Sequence, residues 1–302
     1  MSTAEKVIRR GRGGHGRPAD TIDLVTSSRV NDLLTRRLAF AALLAFSPAA
    51  CATAASTPPH FAASSPVTAT TSAARHFHAR VLERVRTDRA GARGLELVGD
   101  TLVELTGPAV RSLSVTGDLR AQQKVPGPPA DGGIALTPAG LWHLSSGFTV
   151  LRDPVTLAER RRAPASHETW GLCDDGTRLV QSDGTTRLLL RDHSTAAVIS
   201  EVRVASREWS TARLADLDCV TVNGYPQAWA VVAGTDWLIR VDLSTGVVTA
   251  VADLTAVTVA EQPTGVDEVV SGIAAVAGAA DELWVTGHRY GYRYRIRLQP
   301  PP

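Results

Sequence analysis

A glycine followed by leucine or isoleucine opens a short β-type segment at four places: Gly94-Leu95, Gly133-Ile134, Gly171-Leu172 and Gly272-Ile273. The first three openers recur at about 40 residues, and the last interval leaves room for two units of about 50. The missing opener falls at Leu217-Asp218-Cys219. Second segments end near Thr106-Gly107, Ser145-Ser146, Ser182-Asp183-Gly184, Ala233-Gly234 and Thr286-Gly287. Third segments end in aspartate plus a turn, at Arg152-Asp153-Pro154, Arg191-Asp192-His193 and Val241-Asp242-Leu243. One such unit buries only one face, whereas stacked units bury both and leave no long free edge when the ring closes. The pattern predicts an all-β fold, a five-bladed β-propeller spanning 76–299. A β-sandwich also suits many short strands, but the period speaks against it. No window shows sustained helical spacing; 80–86 reads either as a helical turn or as an edge strand.

The front of the chain reads differently. Residues 1–34 are polar and basic and predict a disordered extension, or a start codon assigned too early. In 35–51, Arg36 and Arg37 precede an apolar run at 38–46 that is too short to span a bilayer. This predicts a signal peptide, with a twin-arginine look. Ala49-Ala50-Cys51 resembles the end of a lipobox, so either lipidation at Cys51 or ordinary cleavage nearby is expected. Residues 52–75, rich in Ala, Thr, Ser and Pro, predict a flexible tether. These segments point to an exported protein, lipid-anchored in the cell envelope or secreted. The net charge of +2 on 302 residues gives no reason to expect nucleic acid as a partner. Cys173 and Cys219 sit in neighbouring openers; after export they either oxidise to a disulfide or stay as buried thiols.

Residues 170–185 read W-G-L-C-D-D-G-T-R-L-V-Q-S-D-G-T, two short strands with tight-turn chemistry. Trp170-Gly171-Leu172 with Ser182-Asp183-Gly184-Thr185 resembles the W-G-L … S-D-G-T block of the plant- and bacterial-type glutaminyl-peptide cyclotransferases (glutaminyl cyclases). Leu214-Ala215-Asp216-Leu217-Asp218 resembles their L-N-E-L-E. Trp237-Leu238-Ile239-Arg240-Val241-Asp242 with Thr245-Gly246-Val247-Val248 resembles W-I-x-x-I-D … T-G-x-V. Gly272-Ile273-Ala274 and Trp284-Val285-Thr286-Gly287 resemble N-G-I-A … V-T-G-K. The resemblance implies a five-bladed propeller, here a monomer, acting on a peptide or protein N-terminus. It implies closure of an N-terminal glutamine to pyroglutamate with release of ammonia, and it needs neither metal nor cofactor. It also implies a glutamate that shuttles protons, aromatic walls, and an Asn, a Gln and a Lys at the mouth of the central channel.

Carried over residue by residue, that site has largely changed. Trp170 is kept. The F-T-Q-G-L motif falls on Gly91-Ala92-Arg93-Gly94-Leu95, so Gly91 replaces Phe and Arg93 replaces Gln. F-G-E-G-I falls on Ala130-Asp131-Gly132-Gly133-Ile134, which puts Gly132 at the glutamate position. Family tryptophans fall near Ser146 and on Ala233, the Asn becomes Ala215 and the Lys becomes His288. One reading keeps the activity, with Asp131 as the shuttling carboxylate, His288 as the cation, and Trp170 and Arg93 binding substrate. The other is a catalytically dead propeller that binds a peptide or an envelope component. Elsewhere, His76 and His78 read either as two ligands on one strand face, with no third ligand nearby, or as the end of the tether, and Asp174-Asp175 reads as turn residues. The six tryptophans read as blade packing, and Tyr290, Tyr292 and Tyr294 as a half-exposed final strand.

Overall fold

The computed structural model describes residues 73–89, 91–125, 132–145, 147–165, 168–279 and 281–301. The extension, the leader with Cys51, most of the tether, Asp131 and Ser146 lie outside the described residues. A long strand, β1 (Arg75–Arg86), comes first. Four antiparallel quartets follow: β2 (Ala92–Val98), β3 (Thr101–Thr106), β4 (Ala109–Ser114) and β5 (Leu119–Lys124); β6 (Gly132–Thr137), β7 (Gly140–Ser145), β8 (Phe148–Arg152) and β9 (Glu159–Pro164); β10 (Gly171–Asp174), β11 (Arg178–Ser182), β12 (Arg187–Asp192) and β13 (Val198–Arg203); β14 (Leu214–Val222), β15 (Tyr225–Val232), β16 (Trp237–Asp242) and β17 (Val248–Asp253). A short helix, α1 (Thr255–Glu261), precedes β18 (Val270–Ala275), β19 (Glu282–Gly287) and β20 (Tyr292–Gln299).

The last unit supplies only three strands, and β1 completes it by pairing antiparallel with β20. Residues 75–78 of the same strand run parallel to 250–253 of β17, which zips the last two blades into one eight-stranded sheet. The result is five four-stranded blades among the described residues. Their first strands neighbour one another in a closed cycle, β2–β6–β10–β14–β18 and back to β2. Five buried apolar clusters fill the five seams between consecutive blades, including the seam between last and first. Each blade thus covers both faces of its neighbours, as the repeat required.

Three expectations are corrected. His76 and His78 belong to β1 rather than to a tether end, because Phe77 between them is buried and meets Trp229 edge-on at 6.3 Å. Tyr290 and Tyr294 are buried, because both pack into the seam between the last two blades beside Leu254 and Val257; the Tyr294 hydroxyl donates to Glu261 at 2.9 Å. The helix α1 has no counterpart in the sequence pattern. It buries Val257 against the last two blades, and Thr258 donates to Asp236 at 2.6 Å. The aspartates after the third strands are turn residues: Asp153, Asp192 and Asp242 each accept backbone N–H groups two and three residues on.

The openers are explained at the axis. A Cβ added at Gly133 would lie 2.2 Å from the Leu172 nitrogen, and one at Gly171 would lie 2.5 Å from the Ala215 carbonyl oxygen. Strands this close leave no room for a side chain. In β14 the residue before the opener's leucine is Asp216, and it bridges the axis instead. One carboxylate oxygen accepts the Leu95 N–H at 3.2 Å and the Ile273 N–H at 2.9 Å, tying β14 to β2 and β18. The Cys173–Cys219 disulfide ties β10 to β14.

Next along the axis, Glu96 and Asp218 line a cavity of about 780 Å³ that also holds Asp174, Arg75 and Arg240. Burial, which outweighs its backbone hydrogen bonds, pushes Asp218 up to about 7. Burial and the neighbouring Asp218 raise Glu96. Carboxylates that hold protons more tightly folded than unfolded stabilise the fold in acid, and this contribution fades between about 4 and about 7. The turn aspartates Asp153 and Asp192 titrate at about 2, below this window; His143, which burial holds down to about 3, works the other way across it, against three carboxylates, Glu96, Asp216 and Asp218, that burial raises. We therefore expect the melting temperature to fall as pH rises from about 4 to 7, and Asp218→Asn to flatten that fall. Thermal melts of both proteins across this range check it; identical slopes contradict it.

Candidate functional site

The other end of the axis is open. There a cavity of about 600 Å³ is lined by Arg93 on β2, Gly132 on β6, Trp170 leading into β10, Ala215 on β14 and Ser271 on β18. Each of the five blades therefore contributes its innermost strand. Loops add Glu168, Ala233, Asp267 and His288. The size and the mixed lining suit a small polar group in an enclosed site. Leu95, Asp216 and Ile273 lie between this mouth and the acidic cavity.

Trp170 is half-buried, and its indole is fixed by two contacts. Gly184 abuts it so closely that a Cβ there would lie 2.5 Å from the ring. The Arg213 guanidinium lies 4.5 Å from its ring centroid. The S-D-G-T turn owes its glycine to this contact and to a positive φ of 76°. Its aspartate, Asp183, accepts from Thr185 and Arg187.

His288 pairs through Nδ1 with the Asp267 carbonyl oxygen at 3.2 Å. A carbonyl only accepts, so Nδ1 carries the proton and Nε2 of the neutral ring is an acceptor. The cationic role expected for His288 therefore requires the doubly protonated ring. The imidazole packs over Gly91, where a Cβ would lie 3.1 Å from Cδ2. It occupies space beside the position at which the resemblance places a phenylalanine.

Gly132 stands where the shuttling glutamate was expected, and a Cβ there would lie 1.9 Å from the Leu144 carbonyl oxygen. The β6–β7 ladder has closed over that position. Arg93 and Trp170 come together at the mouth; Cys219, with its disulfide to Cys173, lines the opposite cavity.

Two mouth carboxylates escaped the sequence reading. Asp267 is paired with Arg289 at 2.9 Å. Glu168 is exposed, and its backbone carbonyl accepts from Gln181 Nε2 at 2.6 Å. Its only sequence signal is its place two residues before Trp170. Away from the mouth, His193 Nε2 pairs with Asp174 at 2.6 Å beside Asp175. The oxygens of Asp175 are already taken by Thr177 and Arg178, as suits turn residues.

Comparison with known proteins places this geometry. The chain has a TM-score of 0.69 to the crystal structure of glutaminyl cyclase from Myxococcus xanthus, at 24% identity, covering 76% of this chain and 100% of that one. A β-propeller domain of Cps50 (Swd1) from Myceliophteria thermophila aligns at a TM-score of 0.44 and 9% identity, over 73% of this chain and 100% of that one. No curated protein sequence matches. The family model described as glutamine cyclotransferase matches residues 49–298. The chain belongs to the glutamine cyclotransferase family.

Proposed function

We propose that the mouth beside Trp170 takes the N-terminal glutamine of a peptide or protein and closes it to pyroglutamate, releasing ammonia. The observation that carries this reading is the retained Trp170 in an axial cavity that also holds carboxylates, an arginine and an imidazole. The α-amine attacks the γ-carboxamide carbon. The cavity must hold the two in contact, stabilise the oxyanion and move one proton. Trp170 walls the side chain. Arg93 supplies positive charge for the oxyanion, and His288 offers Nε2 to a substrate N–H. The chemistry calls for no cofactor.

A second reading, a propeller that binds peptide N-termini without turnover, is favoured by one observation: position 132 has neither a carboxylate nor room for one. Ammonia measured during incubation with a Gln-initiated dipeptide separates the two. The first reading expects release well above the spontaneous rate. Release at the spontaneous rate, with the dipeptide still bound, supports the second.

The closed ladder makes its own prediction. Gly132→Ala forces the β6–β7 backbone apart and should lower stability by roughly 1–3 kcal/mol. Denaturant unfolding of the variant measures this, and an unchanged midpoint contradicts it. We also propose that the domain works outside the cytoplasm, on a tether from a lipidated Cys51. The Cys173–Cys219 disulfide supports an oxidising compartment. Mass spectrometry of the mature protein should find a diacylglycerol-modified N-terminal Cys51; a mature chain starting elsewhere without lipid contradicts it.

A further inference from the structure

We infer that Glu168 carries the proton from the attacking amine to the departing ammonia, a role displaced in this chain from position 132. The inference rests on the cyclotransferase reading. The reaction needs one group that accepts a proton and returns it, and Gly132 can hold none. Of the two described carboxylates at the mouth, Asp267 is engaged by Arg289. The Glu168 carboxylate has no hydrogen bond or ion pair among the described residues, yet it lines the same cavity as Trp170. The two stand two residues apart in the segment that leads into β10, and both line the mouth.

The support beneath Glu168 is rigid although the carboxylate is exposed. Gln181, fully buried on β11, donates to the Glu168 carbonyl at 2.6 Å and to the Thr169 hydroxyl at 3.0 Å. Its other amide atom accepts from Arg191 Nε, and Arg191 Nη1 donates to the Ala196 carbonyl at 2.6 Å. Thr169 is itself buried. A side chain free to move a proton thus hangs from backbone held by a buried network, as a shuttling group requires.

The step balances without a co-reactant. The amine lone pair forms the new C–N bond while the carbonyl π pair moves onto oxygen, and the amine proton passes to the Glu168 carboxylate. The oxyanion then reforms the carbonyl and breaks the bond to the amide nitrogen, which leaves as ammonia with the proton returned by Glu168.

The test is steady-state ammonia release from a Gln-initiated dipeptide by wild type, Glu168→Gln and Glu168→Ala, each also assayed with added formate. Melting temperatures confirm that the variants fold. We expect both variants to lose about 10²–10⁴-fold in kcat with little change in KM. We expect formate to restore part of the rate to Glu168→Ala alone, because only that variant leaves space for a small carboxylate. A merely structural role would show no such rescue. An active wild type with an equally active Glu168→Gln overturns the assignment and leaves the cyclotransferase reading standing. A wild type with no release above the spontaneous rate overturns both.

Discussion

The innermost strands of the five blades pack against one another round the axis, and the rest of the molecule follows from that approach. Two of the openers have no space for a Cβ at Gly133 and Gly171. Where the ring has a side chain instead, at Asp216, its carboxylate accepts backbone N–H groups from two other blades. A buried carboxylate is costly unless it is hydrogen-bonded, and the bonds that join β14 to β2 and β18 offset only part of that cost for Asp216: its other oxygen has no hydrogen-bond partner among the described residues, and burial raises its affinity for protons. The same tight axis separates an acidic cavity at one end from the mouth at the other. It buries Glu96 and Asp218, which raises the affinity of both for protons, and the nearby Asp218 raises that of Glu96 further.

The mouth inherits its character from this packing. Residues there are small on several blades, at Gly91, Gly132, Ala215 and Ala233, and the aromatic walls of the resembled site are reduced to Trp170. His288 takes up space over Gly91. The β6–β7 ladder seals the place where a glutamate side chain was expected. Among the described residues, the carboxylates and the imidazole at this mouth therefore enter from loops, beside Arg93 on β2. The approach to β10 is the best supported of these, because Gln181 and Arg191 brace it from within their own blade. On the proposed reading, the acid–base group enters from the approach to β10 rather than from β6.

How much of this was legible follows from which signals are local. The openers and the aspartate turns were readable because a close backbone approach and an Asx turn each dictate a residue type on the spot, as at Gly171 and Asp192. The dual pairing of β1 was not, since its partners β17 and β20 lie near the other end of the chain. The helix α1 spans seven residues, too few for helical periodicity to show against strand-rich surroundings. The sealed position at Gly132 is a property of β7's backbone and leaves no mark in the sequence. Glu168 carries no turn or strand signature; only the placement of Trp170 beside it in space marks it as part of the mouth. The cysteine pair was readable as neighbours but not as a bond, because two buried thiols suit the same positions.

A crystal structure of the domain with a pyroglutamyl dipeptide bound tests the central claim most directly, that the axial mouth is the reaction site and that its proton carrier enters from the β10 approach. The account predicts the lactam ring against Trp170, with a Glu168 carboxylate oxygen about 3 Å from the lactam N–H. A product seated elsewhere on the propeller, or one in the mouth with Glu168 turned to solvent and another group on the lactam nitrogen, would contradict it.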